Sequence, residues 1–266
     1  MANTAPSVSE PVLLRQDSGG IARLTLNRPQ QRNALSVGLM AALIEELTAI
    51  SADASVKVVV LGANGPAFCA GHDLKEMRAN PGRDFYEKLF RQCSDLMQAI
   101  VRLPQPVIAR VHGIATAAGC QLVASCDLAI AAETTRFATP GVNIGLFCST
   151  PMVALSRNVN RKQAMEMLLL GEMIDTARAI DFGLINKAVP EETLDEAVAD
   201  WADAITRKSP LTLKIGKQAF YRQVELDLAQ AYDYASRVMT ENMLARDAEE
   251  GIDAFLEKRH PVWQGI

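Results

Sequence analysis

A chain of 266 residues, 49% apolar and 22% charged, has the make-up of a soluble globular protein. Its net charge of −4 argues against a nucleic-acid partner, which needs a basic face, and no apolar run approaches the roughly 20 residues of a membrane helix. Residues 1–20 carry neither a basic start nor an apolar core, so no signal peptide is read and the expected location is cytoplasmic.

Residues 12–14 and 21–26 read as paired strands about a Gly19-Gly20 turn. Leu39, Met40, Leu43, Ile44, Leu47 and Ile50 keep helical spacing, with Ser36 as N-cap. Residues 57–61 are a buried strand, and residues 85–101 a long helix that stops before Pro104 and Pro106. A strand over 107–111, a short helix over 117–124 and a strand over 127–131 follow. Strand and helix thus alternate, as an α/β architecture requires.

From Thr150 the chain turns helical. The predicted helices are 161–170, 175–182 closed by Gly183, 191–207, 210–222, 226–244 and 249–258, with one brief strand at 185–189. Ser209-Pro210 is a cap followed by proline at the first helical position. Leu226, Ala229, Tyr232 and Ala235 form one apolar face, Ile252 and Phe255 another. Such faces suit an intersubunit contact, or packing on the chain's own core. The five cysteines form no C-x-x-C pair, and the three histidines are scattered. They read as reduced, packed thiols with no metal site.

Two segments of small residues carry the chemistry. Pro66-Ala67-Phe68-Cys69-Ala70-Gly71-His72-Asp73-Leu74-Lys75-Glu76-Met77 follows the strand at 57–61 and opens a helix. Gly113-Ile114-Ala115-Thr116-Ala117-Ala118-Gly119-Cys120-Gln121 follows the strand at 107–111. Each turn lifts backbone N–H groups out of the ladder. Two such turns supply two convergent amide donors, the minimum for an oxyanion hole.

These motifs, together with Asn27-Arg28-Pro29, Asn33-Ala34-Leu35 and residues 177–189, occur in an order that resembles the enoyl-CoA hydratase/isomerase (crotonase) superfamily. The resemblance runs from about residue 13 to 263. It implies an α/β fold: a crotonase-like spiral of ββα units over residues 1–200, and a C-terminal helical region over 201–266 that builds trimers, often paired into hexamers. It implies an acyl-CoA thioester as substrate, with coenzyme A part of that substrate and no separate cofactor. Carried over by position, the oxyanion-hole donors are the backbone N–H groups of His72 and Ala118. The second stands at a helix start, where unpaired amides and the helix dipole favour negative charge. Gln31 and Arg32 stand where the family binds the adenosine and phosphate end. Ala70, Asp73 and Leu74 line the adenine and pantetheine path by backbone contact, and Lys75 is a phosphate candidate. Lys258 and Arg259 are candidates for a neighbour's 3′-phosphate. Cys148, Ser149 and Thr150 occupy a loop where other members place a nucleophilic or basic carboxylate.

A two-carboxylate hydratase of this family needs one glutamate at the end of the second turn and another about twenty residues on. These positions hold Gln121 and Gly141. Glutamine donates and accepts hydrogen bonds but is no base, and glycine offers only backbone. The side chains expected near the thioester are therefore His72, Gln121, Asn143, Cys148, Ser149 and Thr150. His72 is expected to titrate near neutrality. Asp127 is expected to hold a structural hydrogen bond, and Glu133 to lie at the surface.

Overall fold

Gly19 and Gly20, at φ 60° and 83°, reverse the chain, so that β1 (Leu13–Ser18) pairs antiparallel with β2 (Ile21–Leu26). The computed structural model describes residues 10–266; residues 1–9, on which part of the signal-peptide reading falls, lie outside the described residues. β3 (Val58–Ala63), β4 (Val107–Val111), β6 (Leu128–Ala132) and β8 (Lys187–Val189) extend the sheet in parallel, in the order β1-β2-β3-β4-β6-β8. β5 (Ile114–Thr116) and β7 (Arg136–Ala138) form a separate parallel pair.

Parallel strands are covered on both faces and read as unbroken apolar runs. β3 is buried along its whole length. Alternate residues of a strand serve opposite faces. Val59 and Leu61 join the larger core with Leu39, Leu43, Leu96 and Ile100. Val58 and Val60 join a second cluster with Leu194, Val198 and Ala202. The larger core is covered by α1 (Val37–Ser51), α3 (Arg83–Arg102) and α4 (Ala118–Ser125). Ser36 caps α1, its side chain accepting from Leu39 N at 3.2 Å. Between α1 and α3, α2 (Leu74–Ala79) starts from the Asp73 cap. The later helices are α5 (Pro151–Asn158), α6 (Arg161–Leu170), α7 (Thr176–Asp181), α8 (Leu194–Thr206), α9 (Pro210–Gln223), α10 (Leu228–Met243) and α11 (Arg246–Leu256).

Four features differ from the sequence reading. β5 lies inside what reads as a turn, and β7 has no counterpart in that reading; three-residue strands are too short to show a period. α5 is likewise new. The division at residues 200 and 201 falls inside α8, which packs against the main sheet and belongs to the core. The chain leaves that core after α8. No residue of α9 or α10 is buried.

One ion pair fastens the helical region to the sheet. Asp127 stands just before β6, and its Oδ2 accepts from Val107 N at 2.6 Å and from Lys217 Nζ at 2.7 Å. Its Oδ1 accepts from Tyr221 Oη at 3.0 Å. Lys217 also donates to the carbonyls of Ile100 and Gln105. Asp127 is thus the structural acid expected, and Glu133 is exposed. Lys217→Ala would leave a shielded carboxylate and two carbonyls short of a donor. Its expected cost is about 3 kcal/mol, read as a lower urea midpoint with an unchanged slope.

Candidate active site

The two small-residue segments cross in contact. Phe68 N donates to His112 O (3.1 Å), Cys69 N to Ile114 O (3.1 Å), and Thr116 N to Cys69 O (2.9 Å). Gly71 has φ 97°, a region open to glycine. A Cβ there would stand 2.9 Å from Ala117 Cβ and 3.5 Å from Ala118 N. The residue before His72 therefore touches the start of α4.

Ala117 sits at φ 51° and ψ −118°, a conformation that a non-glycine residue rarely takes. Such a residue stores on the order of 1–3 kcal/mol, which its surroundings must supply. Its N–H is held by Ala138 O at 2.9 Å. The chain turns there into α4, whose first amide belongs to Ala118. Neither the His72 nor the Ala118 N–H has a backbone acceptor among the described residues.

The His72 segment is fixed by charge. Asp73 Oδ1 accepts from Lys75 N (3.1 Å) and Glu76 N (3.2 Å), and Oδ2 from Arg28 Nη2 (2.9 Å). Burial opposes the Asp73 charge, but Arg28 and the two amides outweigh it and hold the carboxyl below its usual range. Glu76 accepts from Val37 N at 3.0 Å, tying α2 to the start of α1. Asn33 donates to Asn64 O and Ala67 O, locking the preceding loop to the same turn.

A cavity of about 490 Å³ opens between these turns and the loop before α5. His72 and Ala118 both line it, with Ala70, Leu74 and Phe90 on one side and Gly141, Asn143 and residues 146–151 on the other. No Asp, Glu, Lys or Arg is among the lining residues. Of the side chains expected near a thioester, His72, Asn143, Cys148, Ser149 and Thr150 reach this wall.

Gln121 does not. It is buried in α4, where its Oε1 lies 3.9 Å from Cys93 Sγ. Gly141 does line the cavity, but its missing side chain is no empty space. A Cβ there would stand 2.6 Å from Leu146 O and 2.8 Å from Cys148 Sγ. The loop has folded into the volume that a carboxylate side chain would need.

His72 also departs from expectation. Burial pushes its imidazole down to about 4, partly offset by the nearby Leu35 carbonyl, so the ring is neutral at pH 7. Burial pushes the Cys148 thiol up, against the Gly141 amide, which favours the thiolate. All five cysteines are free and buried. Thr150 makes no side-chain cap to α5; the Cys148 carbonyl takes the Met152 N–H instead, at 2.9 Å.

The polar candidates for the coenzyme end lie outside the wall. Gln31, Arg32 and Lys75 are exposed, and Arg32 O accepts from Ala70 N at 3.0 Å. Asp73 spends its side chain on the cap. Arg259 is held by Glu250 at 2.6 and 3.0 Å and by Glu257 at 2.6 Å, so it is not a free cation. Phe90 and Met77 are wall residues that the sequence reading missed. Phe90 shows only as an apolar residue beside the core face of α3.

The enoyl-CoA hydratase/isomerase family matches residues 16–265. Enoyl-CoA hydratase domain-containing protein 3 of Rattus norvegicus is 46% identical over 263 residues, 98% of this chain and 88% of that protein. The 2,3-dehydroadipyl-CoA hydratase of Escherichia coli (strain K12) is 34% identical, over 97% of this chain and 100% of that protein. Among solved structures, an enoyl-CoA hydratase of Mycobacterium smegmatis superposes with a TM-score of 0.94 at 55% identity, covering 96% of this chain and 99% of that one. The rat protein is mitochondrial by name, so a cytoplasmic location gains no support from it. No helix among the described residues is long and apolar enough to cross a membrane. The α/β fold with its parallel sheet and C-terminal helices is shared with these hydratases, and the chain belongs to the enoyl-CoA hydratase/isomerase family.

Proposed function

We propose that this protein binds acyl-CoA thioesters and steadies charge on the thioester oxygen through the N–H groups of His72 and Ala118, without a carboxylate pair. The observation that carries the reading is the cavity wall: both turn residues stand on it, and no acid does. One such donor contributes about 3–4 kcal/mol to a developing oxyanion. The start of α4 adds the positive end of a helix dipole at Ala118. Gln31 and Arg32 at the adenosine and phosphate end, Ala70, Asp73 and Leu74 along the adenine and pantetheine path, Lys75 at a phosphate, and Ser149 are the proposed contacts of the acyl-CoA, coenzyme A being part of the substrate.

Hydration by the two-glutamate route asks for a base on the water and an acid for the carbon. Acid–base catalysis of that kind supplies about 10²–10⁴-fold. Here Gln121 is no base and lies against Cys93, and Gly141 offers only backbone. Two routes need no protein carboxylate. Loss of an α-carboxylate as CO₂ leaves its electron pair on the enolate, which water then protonates. In the other, a substituent of the substrate carries the proton. A second reading, capture of the thioester without turnover, draws on the same acid-free wall.

The exposed apolar side chains of the last three helices, among them Phe255 (82% exposed) and Leu228 (75%), support a homo-oligomer, proposed as a trimer or hexamer.

Three outcomes are expected. In calorimetry crotonyl-CoA binds, and its carbonyl stretch moves to lower frequency on binding. Its hydration runs at least about 10²-fold slower than in a member with both glutamates; an equal rate would refute the acid-free reading, and absence of binding would refute the whole of it. Gln121→Glu with Gly141→Glu, which the resemblance alone would present as a rescue, should gain no hydration. Overpacking at 141 should instead cost about 1–3 kcal/mol in unfolding, and a hydration gain at undiminished stability would contradict the packing. Sedimentation should give three or six times the monomer mass, reduced by Phe255→Glu; a monomer at tens of micromolar would exclude the oligomer.

A further inference from the structure

The two donor peptides are anchored by their carbonyls. Gly71 O accepts from Leu35 N at 2.8 Å, and Ala117 O from Gln121 N at 3.0 Å. In a trans peptide the N–H points opposite to the C=O. The His72 N–H therefore points away from the Leu35 amide, and the Ala118 N–H away from the body of α4. The aim of each amide follows from the heading of the residue before it, Gly71 or Ala117.

Those two residues are an unequal pair. Both have positive φ, 97° at Gly71 and 51° at Ala117, where glycine is unstrained and a residue with a Cβ is not. Glycine stands at only one of them. At the other a methyl is kept in the strained conformation, although glycine would take the same φ and ψ freely. The place of that methyl shows what it does. A Cβ on Gly71 would stand 2.9 Å from it, so the methyl lies against Gly71 itself, and Ala117 is also on the cavity wall. It fills the space that two glycines would leave open between the donor peptides. A gap there would let either peptide tilt, whereas close contact holds both.

We propose that Ala117 is a positioning residue for the donor pair, its methyl a spacer against Gly71 that fixes how the His72 and Ala118 amides converge, retained despite the backbone strain. The inference rests on the acyl-CoA reading of the same cavity and goes beyond it to the residue that sets the donor geometry. Ala117 acts through the two amides and not on the reacting atoms. The strain at this residue and the missing side chain at Gly71 then have one cause: there is room for a single methyl between the peptides, and it sits on the α4 side.

The test compares the parent protein, Ala117→Gly and Ala117→Ser as full chains. Vibrational spectra give the carbonyl stretch of bound crotonyl-CoA, calorimetry its Kd, and urea unfolding the stability. Ala117→Gly relieves the strain and should unfold at the same urea concentration as the parent or a higher one. Its Kd should stay within about 10-fold of the parent's, the scale of one hydrogen bond. The downward shift of the bound carbonyl should nonetheless fall to about half, as when one of two donors no longer meets the oxygen. Ala117→Ser keeps a Cβ at the same place and should keep the parent's shift. A merely structural methyl would give the opposite pattern in Ala117→Gly, a lower urea midpoint with an unchanged carbonyl frequency. A full shift in Ala117→Gly, a lost shift in Ala117→Ser, or failure of Ala117→Gly to fold overturns the inference. Any of these leaves the acyl-CoA reading standing as long as the parent binds with a shifted carbonyl, whereas a parent that does not bind, or binds with no shift, removes both.

Discussion

Everything at the proposed site depends on how closely two backbone segments approach. Cys69 bridges to Ala115, and a Cβ on Gly119 would lie 2.1 Å from Cys69 O. No side chain fits between the segments, so neither can shift without the other. This contact sets the separation of the His72 and Ala118 amides more firmly than any single hydrogen bond. It also accounts for the strain at Ala117. The residue must leave β5 on one heading and start α4 on another within one peptide, and the contact with residues 69–71 leaves it no room to relax. The Arg28–Asp73 pair, the Glu76 bond to α1 and the Asn33 bridges hold the other side. The two amides are thus held mostly by packing, as the proposed donor pair requires.

The same principle recasts the missing acids. As sequence, Gln121 and Gly141 read as two substitutions in an otherwise intact site. In the fold they differ. Gln121 faces Cys93 inside the protein, so its change alters the interior as much as the cavity. Gly141 is part of a rearranged wall: Leu146 O and Cys148 Sγ stand in contact range of any side chain there. The loop and the glycine suit each other, and restoring one residue does not restore the wall.

How much was legible follows from where each signal lies. The first hairpin shows because Gly19 and Gly20 mark its turn, and β3 shows because both its faces are apolar. The helix at 175–182 shows through Asp175, which accepts from Arg178 N at 2.9 Å, and Gly183. The small strands β5 and β7 do not show, for three residues carry no period. The direction of Gln121 was hidden for a different reason. Every residue of α4 is buried, so the helix has no polar face to mark the side that meets the cavity. That α8 and not α9 covers the sheet does not show, because both are amphipathic and only tertiary packing tells them apart. The neutral state of His72 was hidden too, since its neighbours Leu35 and Phe90 come from distant segments.

The energies say what kind of catalyst such a site can be. Two preorganised amides are worth about 6–8 kcal/mol to an oxyanion. Each acid or base side chain adds about 10²–10⁴-fold, which is about 3–5 kcal/mol. A pair of donors and a pair of acids are thus of similar size. What is lost differs in kind: amide donors lower the energy of an enolate but deliver no proton to carbon. A site that keeps the first and lacks the second needs its proton from water or from the substrate itself.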